Sequence, residues 1–350
     1  MKSLLKKMTA IVFLVCLACA TFLQNPTFSA SVDVLPTMTT QSDNPNRIWV
    51  GTFQLVWNEM IDNIVKGPVE FYDYDSPMAT SLNAREFTNA NLSESAYYTK
   101  YGIVSPKLRK TIEKGIKKKF HEKSDILSSF DWTYSPDKYF IYAMLKKDFK
   151  FLTAFDKLDK GVFGKNPQQV DYFGIKSSSN SKLYNNVSVL FYNSPSDYAV
   201  KLKTKGNDEV ILYRTDADMT FDKYYSEIQD KSKVFNGNKK MVEDETLSIP
   251  DINLYMETKF PELEGHQIKN TNLEISGTIE TVDFKMNNEG VKLKSEAAIM
   301  VKVMSLPASD IRHFNFNDNF VLFLVEQNQN VPYYAMKVSD VAELNKTGRK

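Results

Sequence analysis

Histidines are the first residues to consider for chemistry, because they can act as general bases or as metal ligands. The chain has three, His121, His266 and His313, and none has a second histidine at a metal-ligand spacing. His121 is followed by Glu122, but the second histidine of a zinc-protease helix is missing. These residues predict neither a metal centre nor a histidine-based catalytic site.

Other catalytic patterns are also missing from the sequence. It contains no nucleophile elbow, no phosphate-binding glycine loop and no dinucleotide fingerprint. The acidic run Glu243–Glu245 is typical of a solvated turn, and a carboxylate pair of the glycosidase kind stays open at this stage. Both cysteines, Cys16 and Cys19, lie near the N-terminus, so the mature chain would have no thiol chemistry. We therefore predict no enzyme activity, no cofactor and no metal.

The first 31 residues have the three-part layout of a secretory signal peptide. Three lysines within the first seven residues form a positive start, an uncharged apolar run covers residues 8–23, and small residues stand at positions 29–31. We predict cleavage after Ser29 or Ser31, within a signal peptide that covers residues 1–31.

Lipid attachment at Cys19 is the alternative, and it would hold the protein at the membrane surface. The preceding residues argue against it, because Cys16 stands where a large aliphatic residue is expected. Nothing after the leader approaches the length and apolarity of a membrane span. We therefore predict a secreted, extracellular protein with no stable membrane span.

The net charge points to no particular class of partner. Removing the three leader lysines from the 44 basic residues leaves 41, against 43 acidic residues. A near-neutral chain has no global attraction for nucleic acid, so we predict none as a partner. No linker rich in Pro, Gly or Ser and no internal repeat divides the chain. We predict a flexible lead-in over residues 32–46 and a single domain over residues 47–350.

Two helices are predicted in the N-terminal half. Apolar residues recur every three or four positions from Trp49 to Ile64, and Gly67-Pro68 ends that pattern. Ser105-Pro106 predicts the start of the second helix, with a capping serine and a proline in the first turn. The buried stripe of this helix comprises Leu108, Ile112, Ile116 and Phe120.

Strands predominate from Tyr139 onward. The candidates are residues 140–145, 198–202, 209–213, 273–286, 320–325 and 333–338, with a short helix at 220–228. Gly206-Asn207 predicts a hairpin between the second and third of these strands. The continuous apolar run 320–325 predicts a strand that is covered on both faces. Helices followed by strands predict an α+β fold with large antiparallel or mixed sheets.

The C-terminal third resembles the serpin family in the order and spacing of its motifs. These are Asn288-Glu289-Gly290 as the hinge, Met304-Ser305-Leu306-Pro307 as the reactive site, Phe314–Phe320 as a strand entrance, Val321–Asn328 as a buried strand, and Tyr333–Val338 as the closing strand. Weaker similarity upstream, at 247–250, 212–216 and 142–155, extends the resemblance over about residues 110–340. It implies a serpin-like fold, with a large central β-sheet, additional sheets and a cluster of N-terminal helices.

Several residues depart from the family's pattern. Ala143 stands where the central strand of the family has an asparagine, and Phe151 stands where that strand has a tryptophan at its top. Asn288 replaces the hinge glutamate, and the chain is several helices shorter between its first helix and the central strand. These departures concern the conformational switch of the family more than its fold.

The segment after Gly290 has the alternation that loop insertion requires. In inhibitory serpins the loop enters the central sheet as a new strand, and alternate side chains turn into the core. The hinge residues implied here are Glu289, Gly290, Val291, Leu293, Ser295 and Ala297. The last four share one face and carry no charge, whose burial without a partner would cost several kcal/mol. The same alternation also fits a permanent strand, and Leu293 is bulkier than the alanine usual in inhibitory hinges.

The resemblance implies a serine protease inhibitor whose exposed reactive centre loop is cut between Met304 and Ser305. A methionine before the cut bond suits an elastase- or chymotrypsin-like protease as the partner. The alternatives are a non-inhibitory serpin-fold protein that binds an extracellular partner, and an unrelated exported protein. The lysine-rich helix face from Lys107 to Lys119 is similar to the surfaces with which some serpins bind polyanions, but we interpret it as a solvated face.

Overall fold

The structure, a computed structural model, describes residues 32–293 and 311–349. Of Leu293 it describes the backbone but not the side chain. The predicted leader, the hinge residues Ser295 and Ala297, and the predicted reactive bond Met304–Ser305 lie outside the described residues.

The described part of the chain contains seventeen strands. They are β1 (Asp33–Leu35), β2 (Arg47–Val50), β3 (Tyr97–Val104), β4 (Ser135–Leu145), β5 (Lys147–Lys150), β6 (Asp156–Phe163), β7 (Asn166–Ile175), β8 (Val187–Ser194), β9 (Asp197–Lys203), β10 (Asp208–Arg214), β11 (Thr246–Pro250), β12 (Ile252–Thr258), β13 (Glu280–Asn287), β14 (Gly290–Leu293), β15 (His313–Asn315), β16 (Phe320–Glu326) and β17 (Tyr334–Val338).

Five α-helices accompany them in the same residues. They are α1 (Thr52–Met60), α2 (Pro77–Asn83), α3 (Pro106–Phe120), α4 (Phe221–Val234) and α5 (Val341–Asn345). A π-helical turn over Ile61–Val65 extends α1 and ends at the left-handed residue Lys66. The predicted start of α3 is confirmed, because Ser105 Oγ accepts a hydrogen bond from Leu108 N at 3.2 Å.

The strands form one large sheet and three smaller ones. Seven strands follow the order β1-β2-β17-β16-β10-β9-β8. Two sheets of four strands follow the orders β15-β11-β7-β6 and β12-β13-β14-β5, while β3 and β4 form a pair. The predicted α+β class, with large mixed sheets, is confirmed.

The large sheet is built around β16, which pairs antiparallel with β10 and with β17. Every residue of β16 is buried. This confirms the strand that the apolar run 320–325 predicts, since only a strand covered on both faces can bury a continuous apolar run. The predicted hairpin is also confirmed, because β9 and β10 pair antiparallel on either side of Gly206-Asn207.

Helices cover both faces of the β3–β4 pair. The buried stripe of α3 packs with Tyr142, whereas α1 packs with Ile141, the preceding residue of β4. Successive side chains of a strand point to opposite faces, so α1 and α3 lie on opposite sides of β4.

Two sequence predictions in the N-terminal region are wrong in detail. Trp49 is not helical; it lies in β2, whose four residues are all buried between β1 and β17. The lead-in over residues 32–46 contains a strand, because β1 pairs parallel with β2 and buries Leu35. The first error arises because a short, fully buried strand such as β2 has neither helical nor alternating periodicity. The second arises because β1 has only three residues, which are too few to show a periodicity.

The strand predicted over residues 273–286 starts later than expected. β13 begins at Glu280, and residues 275–279 belong to no strand or helix. The apolar residues change phase here, since Ile275 and Ile279 are odd-numbered whereas Val282 and Phe284 are even-numbered. One face of a strand contains only every second residue, so the two halves cannot share one buried face.

Candidate functional site

The start of the predicted hinge already lies within a sheet. β14 pairs antiparallel with β13 on one side and with β5 on the other. Val291 lies opposite Met286 and Phe149, and it is fully buried. Of the predicted hinge residues, Gly290, Val291 and Leu293 thus belong to a strand in this structure, and Glu289 lies in the turn before it.

The turn between β13 and β14 is tied to the chain that follows β5. Phe151 N donates to Glu289 O at 3.0 Å, and Phe155 N donates to Asn288 O at 2.8 Å. Asn288 Nδ2 returns a bond to Phe155 O at 3.2 Å. At Gly290, a Cβ atom would stand 2.3 Å from Phe149 O, which is too close for any other residue. Backbone hydrogen bonds and close packing therefore fix residues 288–290 in place.

Buried charges hold β5, the strand on the other side of β14. Lys147 Nζ contacts Asp208 Oδ1 at 2.8 Å and also bonds to Glu326, and all three side chains are nearly inaccessible. Ser93 N and Ser93 Oγ donate to Glu326 as well, and Tyr333 OH donates to Asp208 at 3.0 Å. Burial alone would raise the pKa of Glu326, but the bonds from Lys147 and Ser93 hold it below its usual range.

After Leu293, the described residues contain no strand between β13 and β4. In the described residues β4 pairs with β3 and not with β13, although β4 and β5 are almost continuous in sequence. A cavity of about 800 Å³ lies here, which we call the cleft. Its two long walls are β4 and the segment 272–283, and α1 contributes Phe53 and Trp57.

An acid, Glu280, lies in the cleft at the start of β13. The residue is 4% exposed, and Oε1 accepts a hydrogen bond from Phe53 N at 3.1 Å. Within the described residues, Oε2 has no hydrogen-bond partner. Burial raises the pKa of Glu280 to about 8, and the bond from Phe53 N offsets only part of that effect. Ala143 of β4 also lines the cleft.

The chain that leads out of residues 294–310 is anchored by Arg312. Its guanidinium donates to Glu245 Oε2 at 3.0 Å, to Asn238 O at 2.8 Å and to Lys240 O at 2.9 Å. It also lies 5.4 Å from the ring centre of Phe314. Glu245 is 2% exposed, so the prediction that residues 243–245 form a purely solvated turn is wrong for this residue.

The three histidines do not form a site together. His121 ends α3 in a left-handed conformation, His266 bonds to Asp73 at 3.0 Å, and His313 bonds to Thr246 at 2.9 Å. Among the described residues, no group of three or more His, Cys, Asp or Glu side chains is placed to hold a metal ion.

The lysine-rich face of α3 lies on the outer surface. Lys107, Lys110, Lys114, Lys117 and Lys118 are exposed. Arg109 pairs with Glu113 at 2.9 Å within the helix. This arrangement fits the solvated face that we favour for the segment.

Two of the most informative residues, Lys147 and Glu280, were not singled out from the sequence. Glu280 stands in phase with Val282, Phe284 and Met286, so a charge on an inward position of β13 was the available signal. Lys147 offers no comparable signal, because its partner Glu326 is 179 residues away.

In the described residues, no helix has the length and apolarity that crossing a membrane requires. No protein-family model matches the sequence, and neither does any curated protein.

Solved structures nevertheless resemble this one. Tengpin, a thermophilic serpin in its native state, superposes with a TM-score of 0.55 at 11% identity, over 87% of this chain and 91% of that chain. Serpin48 of the insect Tenebrio molitor has a TM-score of 0.42 at 12% identity, over 71% and 78% of the two chains. Thyroxine-binding globulin has a TM-score of 0.43 at 11% identity, over 72% and 78%. On the match to tengpin, the chain has the serpin fold.

Proposed function

We propose that the protein is a secreted inhibitor of a serine protease and not itself an enzyme. Residues 294–310 form its reactive loop, and the target protease cuts between Met304 and Ser305. One observation carries this proposal: β14 starts a new strand at the mouth of a cleft that has room for the rest of that strand.

The pairing of β14 predicts where the inserted segment would lie. Each further residue after Leu293 would stand opposite the preceding residue of both neighbouring strands. Continued without a bulge, this register sets residues 294–305 between 283–272 on one side and 146–135 on the other. These two stretches are the long walls of the cleft. The segment that fills them ends at the predicted reactive bond.

The side chains of the inserted segment would suit these positions. Ala297 would lie between Glu280 and Ala143, where little space is needed from either side. Ser295 would lie beside Val282, on the inward face that Val291 already occupies. Lys294 and Glu296 would point outward, where charge stays in water. The new strand would gain backbone hydrogen bonds along both walls.

The chemistry follows the scheme of inhibitory serpins. The serine oxygen of the protease attacks the carbonyl carbon of Met304, and the amine of Ser305 leaves with a proton. The resulting ester joins Met304 to the protease. Insertion of residues 294–304 then carries the protease across the sheet before water can cleave that ester. A methionine before the bond fits the apolar pocket of an elastase- or chymotrypsin-like protease.

Incubation with pancreatic elastase and with chymotrypsin tests this proposal. We expect a covalent complex on a denaturing gel, at the summed mass of both chains, and mass spectrometry should locate the cut at Met304–Ser305. Met304→Pro should abolish both the cut and the complex. Cleavage at this bond without a complex would remove the inhibitory mechanism.

A non-inhibitory binding protein with the serpin fold is the second candidate. The observation that favours it is that residues 290–292 are already paired on both sides. Cleavage would then add fewer new strand contacts, so the driving force for inserting the loop would be smaller. If insertion is slower than hydrolysis of the ester, the protease is released. In that case the protein would be a substrate that is cut and released.

A further inference from the structure

The two faces of the cleft are covered by different elements. α1 covers one face, because it packs with Ile141 of β4 and because Phe53 N donates to Glu280 of β13. Side chains alternate along a strand, so Asp283 of β13 points to the other face, which we call the front. α3 packs on this front side of β4. A strand that enters the cleft must therefore come from the front.

The side chain of Arg349 lies at the front of the cleft. Its Nη1 contacts Asp125 Oδ2 at 3.1 Å and Asp283 Oδ2 at 3.6 Å. The guanidinium also lies 3.3 Å from the centre of the Tyr255 ring, which is a cation–π contact. Both carboxylates belong to residues that line the cleft. The question is then whether these contacts stay on one wall or join the two.

Arg349 belongs to the wall that contains β12 and β13. Asn253 Nδ2 of β12 donates to Arg349 O at 3.1 Å, and Tyr255 N donates to Thr347 Oγ1 at 3.2 Å. Tyr255 stands directly opposite Asp283 in the pairing of β12 with β13. The segment that carries Arg349 is therefore fixed to β12, and its contact with Asp283 stays on this wall.

Asp125 belongs to the wall formed by β4. The apolar side chains that follow it pack with Tyr142 of β4. Just before it in the chain, Glu122 Oε1 accepts a bond from Nζ of Lys146, the residue after β4, at 3.0 Å. The contact between Arg349 and Asp125 therefore joins the two walls across the front of the cleft.

This contact lies at the level where β14 would continue. Extended by one residue, the register of β14 places the position after Leu293 between Asp283 and Lys146. These are the residues beside the two ends of the contact. Residues 294–304 would approach the front with a protease attached to Met304, and so large an end cannot pass beneath the contact. The contact must open before the strand can enter.

We propose that Arg349 is a strap across the front of the cleft, which must release Asp125 before a strand can enter. Since the proposed function requires residues 294–304 to enter the cleft, this role of Arg349 rests on it. The side chains of Arg349 and Asp125 are 41% and 34% exposed, and exposed ion pairs are weak. The strap therefore slows insertion without preventing it.

Entry of a synthetic peptide with the sequence of residues 294–305 into the full mature chain tests the inference. Its rate can be followed by protein fluorescence, because Trp57 lines the cleft and the peptide has no tryptophan. We expect Arg349→Gln to accelerate entry about threefold, as for the loss of one exposed ion pair. Asp125→Asn should have the same effect. The double variant should be no faster than either single variant, because all three remove one contact.

Two control variants separate the strap from a general effect of charge. Asp283→Asn should leave the rate near that of the unsubstituted protein, because the contact of Asp283 with Arg349 does not cross the cleft. Arg109→Gln is the matched arginine control. It breaks an exposed ion pair with Glu113 that lies within α3, and it should leave the rate of entry unchanged.

The distance between the two walls supplies a readout that needs no peptide. Spin labels can be placed at Lys123→Cys and Glu257→Cys, since residues 32–350 contain no cysteine and both side chains are exposed. One label is then two residues from Asp125, and the other is on β12. Arg349→Gln should lengthen and broaden the distribution of distances in the uncut protein. Arg109→Gln should not change it.

The outcomes separate this inference from the proposed function. Equal rates of entry into the unsubstituted protein and Arg349→Gln would overturn the strap and leave the inhibitor proposal intact. A rate that rises in Arg349→Gln but not in Asp125→Asn would also overturn it. Entry into neither protein, with a longer label distance in Arg349→Gln, would support the strap and contradict the inhibitor proposal. Entry into neither protein with an unchanged distance would overturn the strap.

Discussion

The seven-stranded sheet and the sheets around the cleft are completed to different extents. β16 has partners on both sides, and all of its residues are buried. β13 pairs with β12 along its whole length but with β14 only over Lys285–Asn287. In the described residues β4 pairs with β3 alone, and its other edge faces the cleft.

In the large sheet, the hydrogen bonds between neighbouring strands are already formed and the apolar side chains of β16 are already buried. These contacts contribute to the stability of the folded state as it stands. Around the cleft, the edges of β4 and β13 still have room for a strand. Substitutions in the large sheet should therefore affect the folded state directly, whereas those at the cleft should act on what enters it.

Phe323→Ala should cause the largest loss of stability. Phe323 is fully buried in β16, where its ring lies 5.2 Å from Tyr225 and 6.2 Å from Phe221. Removing a buried ring should lower the free energy of unfolding by about 3–5 kcal/mol. Urea denaturation measures this loss. The matched cleft variant is Tyr139→Ala, which removes a ring that is 48% exposed, and it should cost less than about 1 kcal/mol. Equal losses at the two sites would contradict the comparison.

Lys147→Met should cost about 3 kcal/mol, because it leaves two carboxylates buried without their cation. Ser93 still bonds to Glu326, which keeps the loss at the lower end of the range. Urea denaturation again gives the value. Lys160→Met is the control, since Lys160 pairs with Asp171 on the surface, and we expect less than about 1 kcal/mol there. A similar value for both lysines would mean that the buried charges do not hold β5.

Glu280→Gln should change the pH dependence of stability. Its pKa in the folded protein is raised to about 8 from 4.5, so the folded state keeps a proton that the unfolded state loses. Stability should therefore be highest below pH 4.5 and should fall as the pH rises to about 8. We expect Glu280→Gln to remove a decline of about 3 kcal/mol between pH 5 and pH 8, since each unit of pKa shift corresponds to about 1.4 kcal/mol. Parallel profiles for the two proteins would show that Glu280 is not buried as described.

Much of the fold was predictable because its signals are local. The apolar run in β16, the Gly206-Asn207 turn and the Ser105-Pro106 cap each depend on neighbouring residues alone. β2 was mistaken for helix because its four buried residues precede α1 with only Gly51 between them. The residue between β2 and α1 must be a glycine, because a Cβ atom on Gly51 would lie 2.2 Å from the ring of Phe87.

The candidate site was predictable only in part. The motif Asn288-Glu289-Gly290 indicates the position of the hinge. The alternation of apolar and polar residues after Gly290 is compatible with an insertable loop and also with a permanent strand. The structure shows that β14 has formed over Gly290–Leu293. The ion pairs of Lys147 depend on strands distant in sequence. No local pattern reports such contacts, and so the residues that hold β5 in place could not be found from the sequence.

The central claim is that the cleft can still accept a strand, and the melting temperature before and after a single cut at Met304–Ser305 tests it most directly. We predict a rise of about 10 °C or more, since each added backbone hydrogen bond contributes about 1 kcal/mol. Ser295→Arg should abolish the rise, because after insertion residue 295 would lie beside Val282 on the buried face of the sheet. Lys294→Arg, at the neighbouring position that would face solvent, should preserve it. An unchanged or lower melting temperature after the cut in the unsubstituted protein would contradict the claim.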